Sequence, residues 1–239
     1  MVLAGGYAKR LWPLSIDTPK ALLPVAGKPV IDYIFQKILK INPPVSKIIV
    51  STNLRFQPLF EEWLRKSKHK RVKLVPDNSR NEADKIGAIK ALSNIISGES
   101  TEDFLVLAGD GLFLDDLSGF VKFFRQFHAP VMALYSAKNV AEAKRGATVS
   151  IDDNGKIVEC VEKSENPKTT LIGACIYAFP SGIGKRLNEY LSLGLPQDQP
   201  GKFIEWLCKV EPVYGFMLNG TLLDIGTIES YKEAENFFK

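Results

Sequence analysis

The sequence predicts an α/β fold built on a mixed, mainly parallel β-sheet with helices on both faces. Short runs of β-branched residues alternate with segments of helical period through the first 130 residues, as in chains that wind a parallel sheet. The run 104–108 is apolar throughout, which is typical of a central strand that is buried on both faces. After Pro130, strand patterns follow one another with little helix between them, so the sheet is expected to be mixed.

The first half of the chain predicts alternating strands and helices after a very short apolar start. Pro29 suits the first position of a helix, where its missing N–H costs nothing, and apolar residues then recur at helical spacing. Asp115 or Asp116 is expected to cap a phenylalanine-rich helix later in this half. Further strands are predicted at 47–51, 71–75 and 104–108, and further helices at 56–66 and 83–96.

The second half predicts a run of strands followed by helices. Asp153-Asn154-Gly155 is a hairpin signal between two of the strands, and Thr227 is expected to cap a closing helix that starts near Glu229. No linker, repeat or low-complexity segment interrupts the chain, so we predict one domain over residues 1–239. The predicted strands are 131–135, 147–151, 157–161 and 170–179 with two more near Tyr214 and Leu222, and the predicted helices are 183–193 and 203–210.

Composition places the chain among ordinary globular proteins. Hydrophobic residues make up 45% of the 239 residues and charged residues 24%, with a formal net charge of +4. No block of lysine and arginine interleaved with aromatic residues predicts a nucleic-acid surface, and no apolar run of about 18 residues predicts a membrane span. Because no signal-peptide pattern is present either, we expect a cytoplasmic protein.

The cysteines and histidines predict neither a disulfide framework nor a zinc site. Cys160, Cys175 and Cys208 are far apart and odd in number, so we expect buried, reduced thiols. His69 and His128 have no zinc-ligand spacing with them.

The amino-terminal loop predicts phosphate binding. The segment Leu3-Ala4-Gly5-Gly6 is followed by two cations, Lys9 and Arg10. Glycines at a strand end let backbone N–H groups approach an anion closely, and an arginine can bind a phosphate through two parallel hydrogen bonds. Taken alone, the hexapeptide Gly5–Arg10 is equally well a tight turn with exposed basic residues. It has neither the P-loop spacing nor the dinucleotide-binding spacing of glycines.

The longer string around this loop resembles the signature of the sugar-1-phosphate nucleotidyltransferases, the NDP-sugar pyrophosphorylases. That signature is roughly Leu-Ala-Gly-Gly-x-Gly-Thr-Arg-Leu-x-Pro-Leu-Thr-x-x-x-Pro-Lys, and Leu3-Ala-Gly-Gly6, Arg10-Leu-Trp-Pro-Leu14 and Pro19-Lys20 stand in register with it. The resemblance runs from residue 3 to about 235 and implies a Rossmann-like fold of the GT-A-like nucleotidyltransferase type. It also implies a nucleotide-binding half at about 1–130 and a sugar-binding half at about 131–239.

The resemblance implies that the loop binds the nucleotide. The backbone of Leu3, Ala4, Gly5 and Gly6 would lie against it, and Arg10, helped by Lys9, would hold its β- and γ-phosphates. Lys20 would reach the phosphate of the sugar or the α-phosphate of the nucleotide from a loop that cannot be helical before Pro19.

Two acidic residues are implied as ligands of Mg²⁺. Asp110 follows the apolar run 104–108 and would stand at the carboxyl end of a strand, where α/β sheets bind ligands. The segment Gly109-Asp110-Gly111 is by itself as readily a turn, but the family has its metal site there. Asp224 matches the family's second metal ligand, although Leu222 replaces the usual aromatic residue and Asp224 alone could simply end a strand.

The implied sugar site lies further along the chain. Glu162 and Lys163 resemble the family's Glu-Lys-Pro, with Ser164 in place of the proline. Glu162 would accept hydrogen bonds from sugar hydroxyls and Lys163 would approach the sugar phosphate, although neighbouring Glu and Lys residues are, taken alone, most often solvated. Gly173 matches a glycine whose backbone lines the sugar pocket. Gly87 lies in the segment that the family uses near the base, and is expected to bind the nucleotide.

Several positions depart from the family pattern. Ala8 stands where the family prefers glycine and Lys9 where it prefers a small hydroxyl residue. If position 8 needs a positive φ, alanine costs about 1–2 kcal/mol there. Asp84 and Lys85 break the small-residue pattern before Gly87, so the base cannot be inferred from that segment.

The implied reaction is transfer of a nucleotidyl group from a nucleoside triphosphate to a sugar-1-phosphate, with release of pyrophosphate. We expect glucose-1-phosphate with dTTP or UTP, and mannose-1-phosphate with GTP stays open as the alternative. A non-catalytic paralogue that binds nucleotide sugars is a second alternative, motivated by the departures at Ala8, Lys9, Ser164 and Leu222. A glycosyltransferase is disfavoured because Gly111 replaces the second acid of Asp-x-Asp.

Length and surface give the remaining expectations. Only fifteen residues follow Asp224, so we expect neither an appended β-helix nor a bifunctional enzyme. Exposed apolar residues such as Trp12 could serve a homo-oligomer interface. The partners expected are therefore the two small-molecule substrates and a possible second copy of the chain.

Overall fold

The computed structural model describes residues 1–67, 69, 71–96 and 102–239 as an α/β fold. The chain divides into two compact units, and each is assembled from segments that are separated in sequence. The first unit comprises Met1–Ile86, Leu107–Ser118 and Gly220–Lys239, and the second comprises Gly87–Val106 and Gly119–Asn219. The division at about residue 130 that the resemblance implies stays a prediction.

Strands and helices follow one another along the chain in this order. The strands are β1 (Val2–Leu3), β2 (Pro24–Val25), β3 (Lys28–Pro29), β4 (Ile48–Asn53), β5 (Val72–Asp77), β6 (Phe104–Ala108), β7 (Gly111–Phe113), β8 (Val131–Ser136), β9 (Ala147–Ile151), β10 (Ile157–Glu162), β11 (Leu171–Phe179), β12 (Tyr214–Met217) and β13 (Leu222–Asp224). The helices are α1 (Val30–Ile38), α2 (Gln57–Ser67), α3 (Ala88–Ile96), α4 (Ser118–Phe127), α5 (Val140–Ala143), α6 (Ile183–Ser192), α7 (Pro200–Val210) and α8 (Ile228–Phe238).

The first unit contains a parallel sheet in which the end of β6, then β1, β4 and β5 lie side by side. The central strand β4 is buried along its whole length, as its apolar start predicts, and it ends in polar residues. Leu3 pairs with Ser51 of β4, and Asn53 of β4 pairs with Asp77 of β5. Because parallel strands share one direction, all their carboxyl ends meet at one edge of this sheet.

A two-stranded antiparallel ladder completes the first unit. Residues of β7 pair with residues of β13, and α8 follows at once. Thr227 caps α8 as predicted, and its hydroxyl and that of Ser230 form a reciprocal capping box. A buried apolar cluster supports the ladder; its members are Leu11, Leu23, Val25, Val30, Leu112, Leu223, Ile225 and Ala234.

The second unit contains strands in the order β10, β9, β11, β8 and β12. All neighbours are antiparallel except β8 and β12, which run parallel. Helix α7 packs against β10, so the layer behind this strand is a helix rather than another sheet. The predicted α/β class with a mixed sheet is confirmed.

Three helix starts are among the element boundaries that differ from the predictions. Helix α1 begins at Val30, with Pro29 extended at its cap. The predicted helix 83–96 begins only at Ala88, because Gly87 has a φ of 84° and Asn81 caps a separate short turn, Glu82–Asp84. Helix α7 begins at Pro200, three residues earlier than predicted.

The structure also tests the predicted burial of the cysteines and the predicted absence of a membrane span. Cys160 is buried as expected, but Cys175 is exposed, which corrects the prediction for that thiol. Cys175 has a φ of 53° within an irregularity of β11, so its side chain leaves the regular alternation of the strand. Among the described residues, no helix combines the length and the apolarity needed to cross a membrane.

Candidate active site

The carboxyl edge of the parallel sheet in the first unit brings polar groups and glycines together. Gly5 follows β1, Asn53 and Asp77 end β4 and β5, and Asp110 follows β6. Open α/β sheets bind ligands outside the carboxyl ends of their strands. The predicted phosphate-binding loop and the first predicted metal ligand therefore stand at one edge of one sheet.

Gly109 and Gly6 at this edge of the sheet have different structural roles. A methyl group on Gly109 would lie 2.8 Å from the Leu3 carbonyl oxygen, and the Gly109 N–H donates to that same oxygen at 2.8 Å. A side chain at this position would push β6 away from β1. On Gly6, by contrast, a methyl group would meet no described atom within 4 Å. Gly6 therefore leaves its backbone open to a ligand.

Ala8 adopts the left-handed conformation that the family's glycine would suggest, with a φ of 47° and a ψ of 46°. An alanine held there costs about 1–2 kcal/mol. Its carbonyl oxygen accepts hydrogen bonds from the Ser15 hydroxyl at 2.8 Å and from the Leu11 N–H at 2.9 Å. These two bonds hold the loop in its turn, and the short helical turn Lys9–Leu11 follows. Alanine at position 8 is therefore compatible with the turn that this loop forms.

The two predicted metal ligands lie next to each other although 114 residues separate them in sequence. Asp224 pairs with Gly111 across the β7–β13 ladder, and the Ile225 N–H donates to the Asp110 carbonyl oxygen at 3.3 Å. Asp224 is exposed, whereas its neighbours Leu223 and Ile225 are buried. The apolar cluster beneath thus anchors the ladder and leaves the acidic side chain at the surface.

Two cations stand beside these acids. Lys20 forms an ion pair with Asp110, and its side chain is only 14% exposed. A methyl group on Gly226 would lie 2.9 Å from Asp224 Oδ2 and 3.3 Å from Arg10 Nη2, so the carboxylate and the guanidinium are close neighbours. Arg10 itself is exposed, and its neighbour Leu11 belongs to the buried cluster. The structure brings all four of these predicted residues together.

The donor set fits a magnesium ion that is shared with phosphates. Asp110 and Asp224 could supply oxygen ligands. The side chain of Asp110 is 31% exposed, and Asp110 immediately precedes β7, whose first residue pairs with Asp224 of β13. Mg²⁺ typically takes one or two protein carboxylates and completes its shell with water and substrate phosphate. The described part of the chain has no cluster of three or more acidic, histidine or cysteine side chains that could hold a metal by itself.

Asp77 was missed by the sequence reasoning and belongs to the same edge. Its Oδ1 accepts hydrogen bonds from the Ser79 N–H at 2.7 Å and the Ser79 hydroxyl at 2.5 Å. Its Oδ2 lies 3.7 Å from where a methyl group on Gly5 would be, so this oxygen faces the glycine loop. The signal that could have found it is an acid at the carboxyl end of the predicted parallel strand, which the structure places at Val72–Asp77.

Glu162 and Lys163 lie together in the second unit. The side chain of Glu162 is only 9% exposed, so the reading of this pair as solvated is wrong for the glutamate. Lys163 follows the last residue of β10 and has a φ of 54°, so the chain turns there, and its Nζ lies 4.0 Å from Glu162 Oε1. Strained backbone of this kind is concentrated at functional sites.

Gly173 and Gly87 also belong to the second unit. Thr148 of β9 pairs with both Val161 and Ile172, so the residues that follow, Glu162 and Gly173, lie at the same level on either side of β9. A methyl group on Gly87 would lie 2.6 Å from the Gln197 carbonyl oxygen, which gives this glycine a packing role. The predicted binding roles of Gly173 and Gly87 stay predictions.

The pKa of Glu162 predicts how stability depends on pH. Burial raises this pKa, Glu205 raises it further, and Lys163 and Lys202 oppose the shift. An acid whose pKa is raised by folding contributes stability below its ordinary pKa and loses that contribution as pH rises through the raised value. Glutamine at position 162 carries no titrating group. We therefore expect the free energy of unfolding of Glu162→Gln to increase relative to that of the parent chain as the pH rises from about 4 to about 8.

Urea unfolding at both pH values measures this difference in the free energy of unfolding. Glu229→Gln is the control of opposite sign, because hydrogen bonds from its own N–H and from Thr227 lower the pKa of Glu229. Identical pH slopes for the parent chain and Glu162→Gln would contradict the expectation.

Comparison with known proteins identifies the class to which this fold and site belong. The chain belongs to the nucleotidyl transferase family, whose model matches residues 1–239. The predicted resemblance is therefore confirmed over the whole sequence.

Individual relatives agree with this assignment. The bifunctional protein GlmU of Methanocaldococcus jannaschii is 29% identical to this chain over 238 residues, which are 99% of the chain and 53% of GlmU. UTP–glucose-1-phosphate uridylyltransferase AglF of Haloferax volcanii is 26% identical over 236 residues, which are 98% of the chain and 94% of AglF. The chain thus spans about half the length of GlmU and nearly all of AglF.

A solved structure supports the fold. UDP-glucose pyrophosphorylase complexed with UDP-glucose matches with a TM-score of 0.82 at 18% identity, and the match covers 99% of this chain and 96% of that one. This likeness confirms the predicted Rossmann-like nucleotidyltransferase fold.

Proposed function

We propose that this protein transfers a nucleotidyl group from a nucleoside triphosphate to a sugar-1-phosphate and releases pyrophosphate. The observation that carries the proposal is the cluster of Lys20, Asp110, Asp224 and Arg10 beside an open glycine loop. This cluster combines acids that suit a cation with cations that suit phosphates. It stands in a member of the nucleotidyl transferase family.

The cationic residues are proposed to hold phosphates. Arg10, helped by Lys9, holds the β- and γ-phosphates, and both residues are exposed on one short turn. Lys20 neutralises Asp110 here and can exchange that carboxylate for a phosphate oxygen of the substrate. The phosphate of the sugar is already ionised near neutral pH, so no general base is needed. Positioning and charge neutralisation are then the protein's main contributions.

Asp110 and Asp224 are the residues proposed to hold Mg²⁺. The ion would supply positive charge that offsets the charge developing on the transferred and leaving phosphates. The backbone of the segment Leu3–Gly6 is proposed to lie against the nucleotide, and Gly87 to contribute to its binding.

The sugar side of the reaction is assigned to the second unit. Glu162 is proposed to accept hydrogen bonds from sugar hydroxyls, Lys163 to bind the sugar phosphate, and Gly173 to line the pocket with its backbone. The close approach of Lys163 Nζ to Glu162 Oε1 supports a joint role for the two side chains.

Glucose-1-phosphate with UTP or dTTP is the proposed substrate pair. Support comes from AglF, whose name states UTP and glucose-1-phosphate and whose length this chain nearly spans. Mannose-1-phosphate with GTP stays the alternative substrate pair.

The experiment measures magnesium-dependent pyrophosphate release from dTTP, UTP, CTP and GTP with several sugar-1-phosphates. We expect one strong pair, which names both substrates together. Strong activity with GTP alone would select the guanylyl candidate. Absence of turnover with every pair, in protein that still binds a nucleotide sugar, would overturn the proposal in favour of a non-catalytic paralogue.

We further propose that the protein works in the cytoplasm and forms a homo-oligomer. Sedimentation of the same sample tests the oligomeric state.

A further inference from the structure

The two carboxylate oxygens of Glu162 have different surroundings. Its Oε1 lies 4.0 Å from Lys163 Nζ, on the side where the sugar is proposed to bind. Its Oε2 points at the first turn of helix α7. The side chain is only 9% exposed, so Oε2 is enclosed by protein. Because the two oxygens belong to one rigid carboxylate, the contacts of Oε2 also set the position of Oε1.

Gly201 makes room for the enclosed oxygen. A methyl group at this position would lie 1.8 Å from Glu162 Oε2, 2.7 Å from its carboxyl carbon and 3.1 Å from Ala147 Cβ. Gly201 is the second residue of α7, where an alanine would favour the helix by up to about 1 kcal/mol. A glycine in this place therefore does not serve the helix; it admits the carboxylate.

Glu205, one turn further along α7, holds the backbone of the same residue. Its Oε2 accepts the Glu162 N–H at 2.9 Å and Lys202 Nζ at 2.9 Å. Although burial alone would raise the pKa of Glu205, these two hydrogen bonds lower it, so the acceptor is an ionised carboxylate near neutral pH. Helix α7 thus contacts both the main chain and the side chain of Glu162.

We propose that Gly201 and Glu205 are positioning residues that set the place of the Glu162 carboxylate and thereby the affinity for the sugar phosphate. This inference rests on the proposed function, because it takes Glu162 as the group that contacts the sugar. Neither residue touches substrate in this account. The first two turns of α7 act through Glu162 alone.

A packing role for the same contacts makes a different prediction. If Gly201 only fills space, a larger residue lowers stability and leaves the kinetics of the folded protein unchanged. If it positions Glu162, the added methyl group meets the far end of a flexible side chain, which can move without unfolding the helix. The KM for the sugar phosphate then changes while the folded state persists.

Gly201→Ala is the first test, with full kinetics for both substrates. We expect the KM for the sugar phosphate to rise about tenfold, because a shift of about 1 Å in a binding group costs one to two orders of magnitude. The KM for the nucleotide, the kcat and the melting temperature should stay close to the parent values. Gly184→Ala is the matched control, since Gly184 is likewise the second residue of its helix, α6.

Glu205 is tested by two substitutions. Glu205→Ala removes the acceptor of the Glu162 N–H, and we expect a rise of about tenfold in the KM for the sugar phosphate. Glu205→Gln keeps an acceptor oxygen at the same place and should restore most of the affinity. Glu211→Gln is the control, because Glu211 also ends a hydrogen-bonded ion pair, with Arg186, but does not contact Glu162 in the described contacts.

Glu162→Gln separates failure of this inference from failure of the proposed function. If Glu162→Gln leaves the KM for the sugar phosphate unchanged, the proposed sugar contact is wrong and the inference falls with it. If Glu162→Gln raises that KM and Gly201→Ala and Glu205→Ala do not, the proposed function stands and the positioning role is overturned. A rise in all three, with rescue by Glu205→Gln, supports both.

Discussion

Asp110→Asn is expected to lower kcat by about three orders of magnitude while the protein stays folded. The carboxylate follows β6 at its carboxyl end, and the next residue, Gly111, pairs with Asp224 across the β7–β13 ladder. Replacing it with an amide removes one negative charge from a site whose remaining acid is Asp224. A cation that is held by one carboxylate instead of two is bound more weakly and neutralises the phosphates less well.

The same variant separates a metal role from a structural one. The Asp110 side chain is 31% exposed and its partner Lys20 is 14% exposed, so loss of this pair should cost only about 1 kcal/mol of stability. The concentration of Mg²⁺ that gives half-maximal activity should rise, which a packing defect would not cause. Initial rates over a titration of Mg²⁺, together with urea unfolding, measure both quantities.

A matched control is available at the opposite end of β6. Asp103 precedes β6 at its amino end, where its Oδ1 accepts the Ser181 N–H at 2.9 Å. Asp103→Asn makes the same chemical change away from the proposed site and should leave kcat and the magnesium dependence unchanged. Near-normal turnover of Asp110→Asn, measured beside this control, would refute the assignment of Asp110 as a metal ligand.

Arg10→Ala is expected to raise the KM for the nucleoside triphosphate about a hundredfold and to lower kcat as well. A guanidinium binds phosphate through two parallel, charge-assisted hydrogen bonds, which are about twice as strong as neutral ones. Arg10 is exposed on a short turn whose next residue, Leu11, is fully buried. The side chain can therefore be removed without disturbing the anchor of the turn.

The lysine variant sharpens this expectation. Arg10→Lys keeps the charge but loses the fork, so we expect a smaller rise in the KM for the nucleotide than with alanine. Arg186→Ala is the control, because it removes an arginine that is engaged in ion pairs with Glu189 and Glu211. Steady-state kinetics with varied nucleotide provide the measurement. An unchanged KM and kcat in Arg10→Ala would exclude Arg10 from the phosphate site.

Local patterns were sufficient to predict most elements of the fold. The apolar run of β6 and the cap of α8 at Thr227 follow from the residues themselves, and both are confirmed. The start of α3 was placed too early, because helical periodicity continues backwards through Gly87 and does not register its positive φ. Boundaries of this kind depend on one backbone angle, which a periodic pattern averages away.

Some residues of the candidate site can likewise be predicted from local sequence, and others cannot. Arg10, Lys20 and the glycines belong to one contiguous string, so the sequence indicates them together. Asp77 and Gly201 have no such string around them. Asp77 matters because β5 ends beside the glycine loop, and Gly201 because α7 packs on β10. Neither contact leaves a local pattern in the chain.

By itself, the sequence determined the α/β class, the glycine loop that is proposed to bind phosphate and the resemblance to the nucleotidyl transferases, because these depend on neighbouring residues and on short periods. Only the tertiary structure decided that Asp110 and Asp224 meet, that Glu162 is buried and that α7 surrounds its carboxylate. The physical reason is distance along the chain. Hydrogen-bonded ladders and packed layers join residues that lie 43 to 113 positions apart, and no local pattern specifies which of them will meet.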